Sequence, residues 1–132
     1  MRKHNGKYCA SGMILRYNNY FLLVLENKRK QWSFPKGKKD LNDISSLETA
    51  LRELEEETNI VIQNIDKNIK GYTTVKQCIF YEYIYDDVPP VINFSKNVEI
   101  LDIKWVHINN INDYNLNFLT ELYFKYNIKN IL

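Results

Sequence analysis

Leu47-Glu48-Thr49-Ala50-Leu51-Arg52-Glu53-Leu54-Glu55-Glu56-Glu57-Thr58-Asn59 carries a clear periodicity and an unusual concentration of charge. Leu47, Ala50, Leu51 and Leu54 recur at the three- and four-residue spacing of an amphipathic helix and form its buried stripe. Ser45 or Ser46 is placed to cap the start, and Asn59 suits the left-handed position past the end that glycine usually fills. At about 100° per residue, Glu53, Glu56 and Glu57 share the face opposite that stripe, while Glu55 points away. Their mutual repulsion costs roughly a few tenths of a kcal/mol per pair, and the negative pole of the helix dipole adds about 0.3–1 kcal/mol per exposed carboxylate. A solvated acidic helix end bears that cost. A bound divalent cation removes it, since hard cations such as Mg²⁺ take one or two carboxylates together with waters and substrate phosphates.

Outward from this helix, the bulk properties describe one domain over residues 1–132: the 132 residues are 45% hydrophobic, enough for a proper core. The longest apolar run, Phe21 to Leu25, is far shorter than the roughly 20 residues of a membrane span. Met1 to Lys7 does not resemble a signal peptide, so a soluble, cytoplasmic protein without membrane attachment is expected. Cys9 and Cys78 lie in apolar stretches without metal-ligand spacing and read as reduced thiols. The formal charge of +2 is unevenly spread, with Lys28, Arg29, Lys30, Lys36, Lys38 and Lys39 gathered ahead of the acidic helix. That cluster is either an anion-facing loop or solvated surface.

Tyr8 to Arg16 and Phe21 to Glu26 read as strands of a hairpin around the turn Tyr17-Asn18-Asn19-Tyr20. Pro35 and Gly37 set a loop with special backbone angles before the helix. Ile60 to Ile65, Thr73 to Tyr85 and Ile100 to Ile108 look like further strands, with Pro89-Pro90 interrupting the path between the last two. Asn112 or Asp113 is placed to cap a final helix bearing Leu116, Leu119, Leu122, Tyr123 and Tyr126. Mixed strands around one central helix, with a helix at the end, predict an α+β fold arranged as an α/β/α sandwich with a mixed sheet. The four glycines are too scattered for a phosphate-binding loop or a dinucleotide fingerprint.

The stretch from Gly37 to Ile60 resembles the signature of the Nudix hydrolases. Gly37, Arg52, Glu53, Leu54, Glu56, Glu57 and Ile60 match its positions. Asp43 stands where a Glu is expected, one extra residue precedes Arg52, and Asn59 replaces the closing glycine. The resemblance implies a Nudix-type sandwich and hydrolysis of a nucleoside diphosphate linked to another group, using Mg²⁺ or Mn²⁺. It places Glu53, Glu56 and Glu57 on the metal, with Gly37 bringing a carbonyl close and Arg52 orienting a carboxylate by charge-assisted hydrogen bonds. The metal would neutralise charge on the phosphate oxygens and lower the pKa of water.

Two further segments, Cys9 to Ile14 with Trp32 to Lys38 and Phe94 to Trp105, look like the catalytic domain of the eukaryotic mRNA decapping enzymes. On that resemblance Glu99 matches a loop carboxylate that serves as metal ligand or general base. Lys36 and Lys38 would contact phosphates, and an exposed Trp32 would stack on a base, whereas Trp105 reads as core. The expected substrate is then capped RNA, releasing methyl-GDP, and a monomer is favoured. Pro35-Lys36-Gly37 and Leu47 to Glu53 are also similar to the diadenosine tetraphosphate hydrolases, so dinucleoside polyphosphates or diphosphoinositol polyphosphates form the alternative. A Nudix-type module that binds nucleotide or RNA without turnover is the remaining class.

Overall fold

The computed structural model describes residues 9–63 and 65–131. Tyr8, placed at the start of the first strand by its sequence, lies outside them. Strand β1 (Ala10–Tyr17) is the hub of a mixed sheet, with β2 (Tyr20–Glu26), β3 (Gln31–Ser33) and β4 (Lys36–Lys38) following it closely. β1 turns into β2 through Asn18-Asn19, Tyr17 pairing with Tyr20 and Asn18 taking a left-handed φ of 52°. Asparagine tolerates that geometry, which is why the hairpin is visible in the sequence.

The central helix α1 (Ser46–Thr58) leads through irregular backbone and a single helical turn, α2 (Ile65–Asn68), into β5 (Ile69–Val75) and β6 (Cys78–Ile84). β6 lies parallel to β1 from Ala10↔Cys78 to Arg16↔Ile84, and β7 (Ile100–His107) runs antiparallel to β2. A 3-10 helix, Ile108–Asp113, precedes the final helix α3 (Phe118–Ile131).

α1 covers one face of the sheet, where Met13, Leu15, Leu22, Ala50, Leu54 and Tyr83 make one buried cluster. On the other face Ile14, Phe21, Leu23, Phe34, Phe80 and Phe124 belong to a second cluster beneath α3. The alternation of Met13, Ile14 and Leu15 between clusters follows from the two-residue period of a strand buried on both sides. Trp105, expected in the core, is half-buried at the border of the first cluster with Tyr85 edge-on to it at 6.0 Å. Among the described residues no helix is long and apolar enough to cross a membrane.

Three expectations are corrected. Ile60 to Gln63 has alternating burial but no strand partner: Ile60 and Ile62 pack against the α1-side cluster and Tyr83 Oη donates to the Gln63 carbonyl at 3.1 Å. Ile65 then lies in α2 rather than in a strand. Apolar alternation reports one wetted and one covered face, and an extended segment lying across a sheet satisfies it as well as a strand does. The long strand from Thr73 to Tyr85 is instead a hairpin, because Lys76 adopts a left-handed φ of 55° and Val75 pairs with Cys78. Lysine is an unusual residue for that position, so the turn left no signal. The final helix starts later than predicted: Asn117, rather than Asn112 or Asp113, accepts from the Leu119 amide at 2.9 Å through its side chain and from the Glu121 amide at 2.9 Å through its carbonyl.

Candidate functional site

α1 is fixed at both ends as its sequence requires. Ser45 Oγ accepts from the Glu48 amide at 3.1 Å, the Glu48 carboxylate accepts from the Ile44 amide at 2.6 Å, and Asn59 sits at φ 66°, ψ 14°. Asn59 Nδ2 also donates to the Asn93 carbonyl at 2.9 Å, tying the helix end to the irregular segment between β6 and β7.

Arg52 organises the acidic end. Its Nε and Nη2 donate to the two Asp43 oxygens at 3.0 and 2.9 Å, Nη2 also reaches the Lys38 carbonyl at 2.9 Å, and Nη1 reaches Glu53 at 3.1 Å and Glu56 at 3.2 Å. Asp43 is buried, and it also accepts from Thr49 Oγ1 at 2.9 Å and the Asp40 amide at 2.8 Å. The Arg52 guanidinium holds the Asp43 carboxyl well below the usual carboxylate range, and the ion pair raises the Arg52 pKa in turn. The shorter acid at position 43 thus still forms a bidentate pair across the loop with the extra residue. Asp43 and Thr49 were not among the predicted site residues, although the departure from the motif at Asp43 marked the position.

The three glutamates do not share a face opposite the buried stripe, as expected: at about 100° per residue Glu57 falls about 20° from Ala50, at the edge of that stripe. The Glu56 side chain is 54% exposed and Glu53 only 14%, while Oε1 of Glu57 is buried without a hydrogen-bond partner. Burial pushes the Glu57 carboxyl up to about 8, the Glu53 charge reinforcing that rise and Lys36 opposing it through its ammonium and backbone amide. Burial also raises Glu53, offset by Arg52, with the charges of Glu56 and Glu99 pushing it further up. Gly37, on β4 opposite Ser11, backs directly onto this carboxylate: a Cβ there would collide with Glu53. The glycine is therefore required by a close approach.

Glu99, an exposed residue just before β7, lines a cleft of about 760 Å³ together with Glu57, Lys36 and Lys38. The pairing of β7 with β2 skips Leu101, so a bulge turns the chain at the cleft edge. Beyond it, the Asn27 amide donates to the Glu99 carbonyl at 2.8 Å and Asn27 Nδ2 to the Val98 carbonyl at 2.9 Å. The Lys36 ammonium is paired with Glu26 at 3.2 Å, whereas the Lys38 side chain is exposed. Trp32 is not the exposed platform expected of it. It is half-buried, with Tyr114 edge-on at 5.5 Å and the Lys104 ammonium 5.7 Å from its ring, because Asn115 and Asn117 bond to its backbone and seat it under the start of α3.

The donor set fits a hard divalent cation. Among the described residues no three His, Cys, Asp or Glu side chains converge on one point, and Arg52 is bonded to both Glu53 and Glu56. An ion that needs only one or two carboxylates, with a carbonyl, waters and phosphate oxygens, does not require such convergence. The unpartnered Glu57 oxygen and the glycine cradle beside Glu53 supply oxygen donors in a partly dry setting.

Residues 8–125 match the sequence model of the NUDIX domain. No curated protein matches the chain. Among solved structures, the fold is similar to a C. elegans Ap4A hydrolase binary complex (TM-score 0.65, 18% identity, covering 89% of this chain and 96% of that one). It is also similar to the NUDIX domain of Shewanella oneidensis NrtR complexed with ADP ribose (TM-score 0.68, 16% identity, 96% and 89%). A third similarity is to a Francisella tularensis bifunctional NMN adenylyltransferase/ADP ribose pyrophosphatase complexed with AMP and a manganese ion (TM-score 0.74, 17% identity), of which this chain covers 42%. At these identities the likeness is one of fold.

Proposed function

The chain belongs to the Nudix family, and from that membership we infer that it is a divalent-metal-dependent pyrophosphohydrolase acting on a nucleoside diphosphate linked to a further group. The observation that carries this reading is the buried, unpartnered Glu57 oxygen beside Glu53, two carboxylates whose ionised forms are disfavoured until a cation arrives. Glu53, Glu56 and Glu57 would hold Mg²⁺ or Mn²⁺, with the Gly37 carbonyl and Glu99 as further oxygen donors. When bound, the cation supplies charge neutralisation at the phosphate oxygens and a more acidic water.

The chain's own residues do the rest. Arg52 keeps Glu53 and Glu56 in place while its other edge is locked on Asp43. Lys38 would contact the phosphates from β4, beside Lys36, whose ammonium is paired with Glu26. Glu99, at the cleft wall, would accept a proton from the attacking water.

Capped RNA is the finer reading that the resemblance of the Glu99 segment supports, with release of methyl-GDP. Diadenosine tetraphosphate is the alternative, and the packing of Trp32 withdraws a base-stacking surface from both readings. The test is turnover of capped RNA, diadenosine tetraphosphate, a diphosphoinositol compound and ADP-ribose with Mg²⁺ and with Mn²⁺. Glu57→Gln is expected to lower kcat by about 100-fold or more while the protein still folds. Unchanged turnover in that variant, or turnover insensitive to chelator, defeats the metal-site assignment, and no turnover of any of these substrates leaves a binding module.

A further inference from the structure

The turn between β2 and β3 is built into the cleft in a way its sequence did not disclose. Asn27 staples the turn to the segment carrying Glu99 through two hydrogen bonds, at 2.8 and 2.9 Å. Lys30 folds back with a left-handed φ of 56°, its ammonium bonded to the Asn27 carbonyl at 2.7 Å and to Asn27 Oδ1 at 2.6 Å. Lys30 is thereby consumed in closing the turn, as Lys36 is consumed by Glu26.

What remains at the apex is Lys28 and Arg29, both exposed and both lining the same cleft as Glu57 and Glu99. Lys38 lines it as well. Among the described residues none of these three side chains has a carboxylate partner, the four ion pairs there being Lys36–Glu26 and those of Arg52. Three cations without an ion-pair partner therefore share a concave surface with Glu57 and Glu99, a placement that offers positive charge to an anion beside those carboxylates.

We propose that Lys28 and Arg29, held by Asn27 and joined by Lys38, form a clamp for phosphates beyond the scissile pair, so that the substrate carries a bridge of three or more phosphates. The proposal rests on the hydrolase reading above and narrows it. In a substrate with two phosphates, both flank the bond that is cut and would be neutralised by the metal that the carboxylates hold, and a neutral sugar would meet the cationic wall. A longer bridge puts an anion there, where Arg29 can bind a phosphate through two parallel N–H donors and Lys28 as a point charge. Both a capped-RNA triphosphate and a dinucleoside tetraphosphate satisfy this requirement. ADP-ribose does not.

The test is calorimetry of the full chain with Mg²⁺ and either inorganic tripolyphosphate or pyrophosphate, in parallel with kinetics on diadenosine tetraphosphate and ADP-ribose. The Lys28→Ala/Arg29→Ala double variant, altered only at an exposed turn, is expected to weaken tripolyphosphate about tenfold and pyrophosphate less than about twofold. KM for diadenosine tetraphosphate should rise to a similar extent, with KM for ADP-ribose unmoved. Asn27→Ala, which removes the side-chain bonds to the Val98 carbonyl and from the Lys30 ammonium while the backbone bond to Glu99 remains, should loosen the turn and weaken tripolyphosphate. Equal losses for the two inorganic ligands, or no loss for either, overturn the clamp. If no nucleotide is turned over but the calorimetric difference holds, the hydrolase reading falls and the clamp stands as a polyphosphate-binding site.

Discussion

At the scale of single residues, Glu57 and Asp43 show how the same type of group is driven in opposite directions by its surroundings. Glu57 has lost water without gaining a full set of partners, so folding favours its protonated form. In the unfolded chain it titrates near the ordinary 4.5, and in the folded protein near 8. Between those values the folded state binds more protons, and stability must fall as pH rises, by at most about 1.4 kcal/mol per pH unit. Urea unfolding of the metal-free protein from pH 5 to 8 should show this decline, which Glu57→Gln should remove. Saturating Mg²⁺ should flatten it, because the cation binds the ionised form.

Asp43 is the reverse case. Its depressed pKa means that the Arg52 pair contributes stability above the ordinary carboxylate value of 3.8, and that this contribution is lost as pH falls through the folded value. Asp43→Asn is expected to cost about 2 kcal/mol at pH 7, and the gap from the parent protein should narrow below pH 4 in the same unfolding assay. Activity should fall too, since Arg52 loses the anchor that holds its other edge toward Glu53 and Glu56.

At the scale of elements, α1 is a lever with two functions. Leu54 and Ala50 seat it on β1, and its seating puts Glu53 against Gly37 and Glu57 against the backbone of Lys36. Gly37→Ala should therefore do more than disturb a turn: its methyl group must displace the Glu53 carboxylate, and we expect metal affinity measured by calorimetry to drop at least about tenfold. Leu54→Ala leaves a hole beneath the helix and should cost about 2–5 kcal/mol by urea unfolding. The start of α3 is held by Asn117 rather than by the residues its sequence suggested, so Asn117→Ala should cost about 1 kcal/mol, while Asn112→Ala costs little.

At the scale of the whole molecule, the sheet is what brings distant segments to one cleft. β4 contributes Gly37 and Lys38, α1 the glutamates, and the β2–β7 pair sets the Asn27 turn against Glu99. A ligand that binds only this assembled site stabilises the entire fold. With Mg²⁺ and tripolyphosphate together at about 100 times their dissociation constants, the gain is about 2.7 kcal/mol, measurable as a rise in Tm that chelator reverses. No change in Tm would contradict a preformed metal and phosphate site.

By itself the sequence determined α1, a serine cap at position 45 or 46, its left-handed Asn59 end and the Asn18-Asn19 hairpin. Each depends on residues within one or two turns of chain, where periodicity and backbone preference act directly. It also identified the acidic cluster, but it read Gly37 as a loop glycine with special backbone angles, whereas the residue lies in β4 and is required by the close approach of Glu53. Only the tertiary structure decided that a Glu57 oxygen is buried without a partner, that Trp32 packs beneath α3, and that Asp43 is the counterion of Arg52. It alone joined Asn27 to Glu99, residues brought together by the β2–β7 register and its bulge. Burial and charge pairing are properties of the assembled neighbourhood. A helical wheel assigns direction around one axis but contains neither the strand on which that helix rests nor the loop that closes over it.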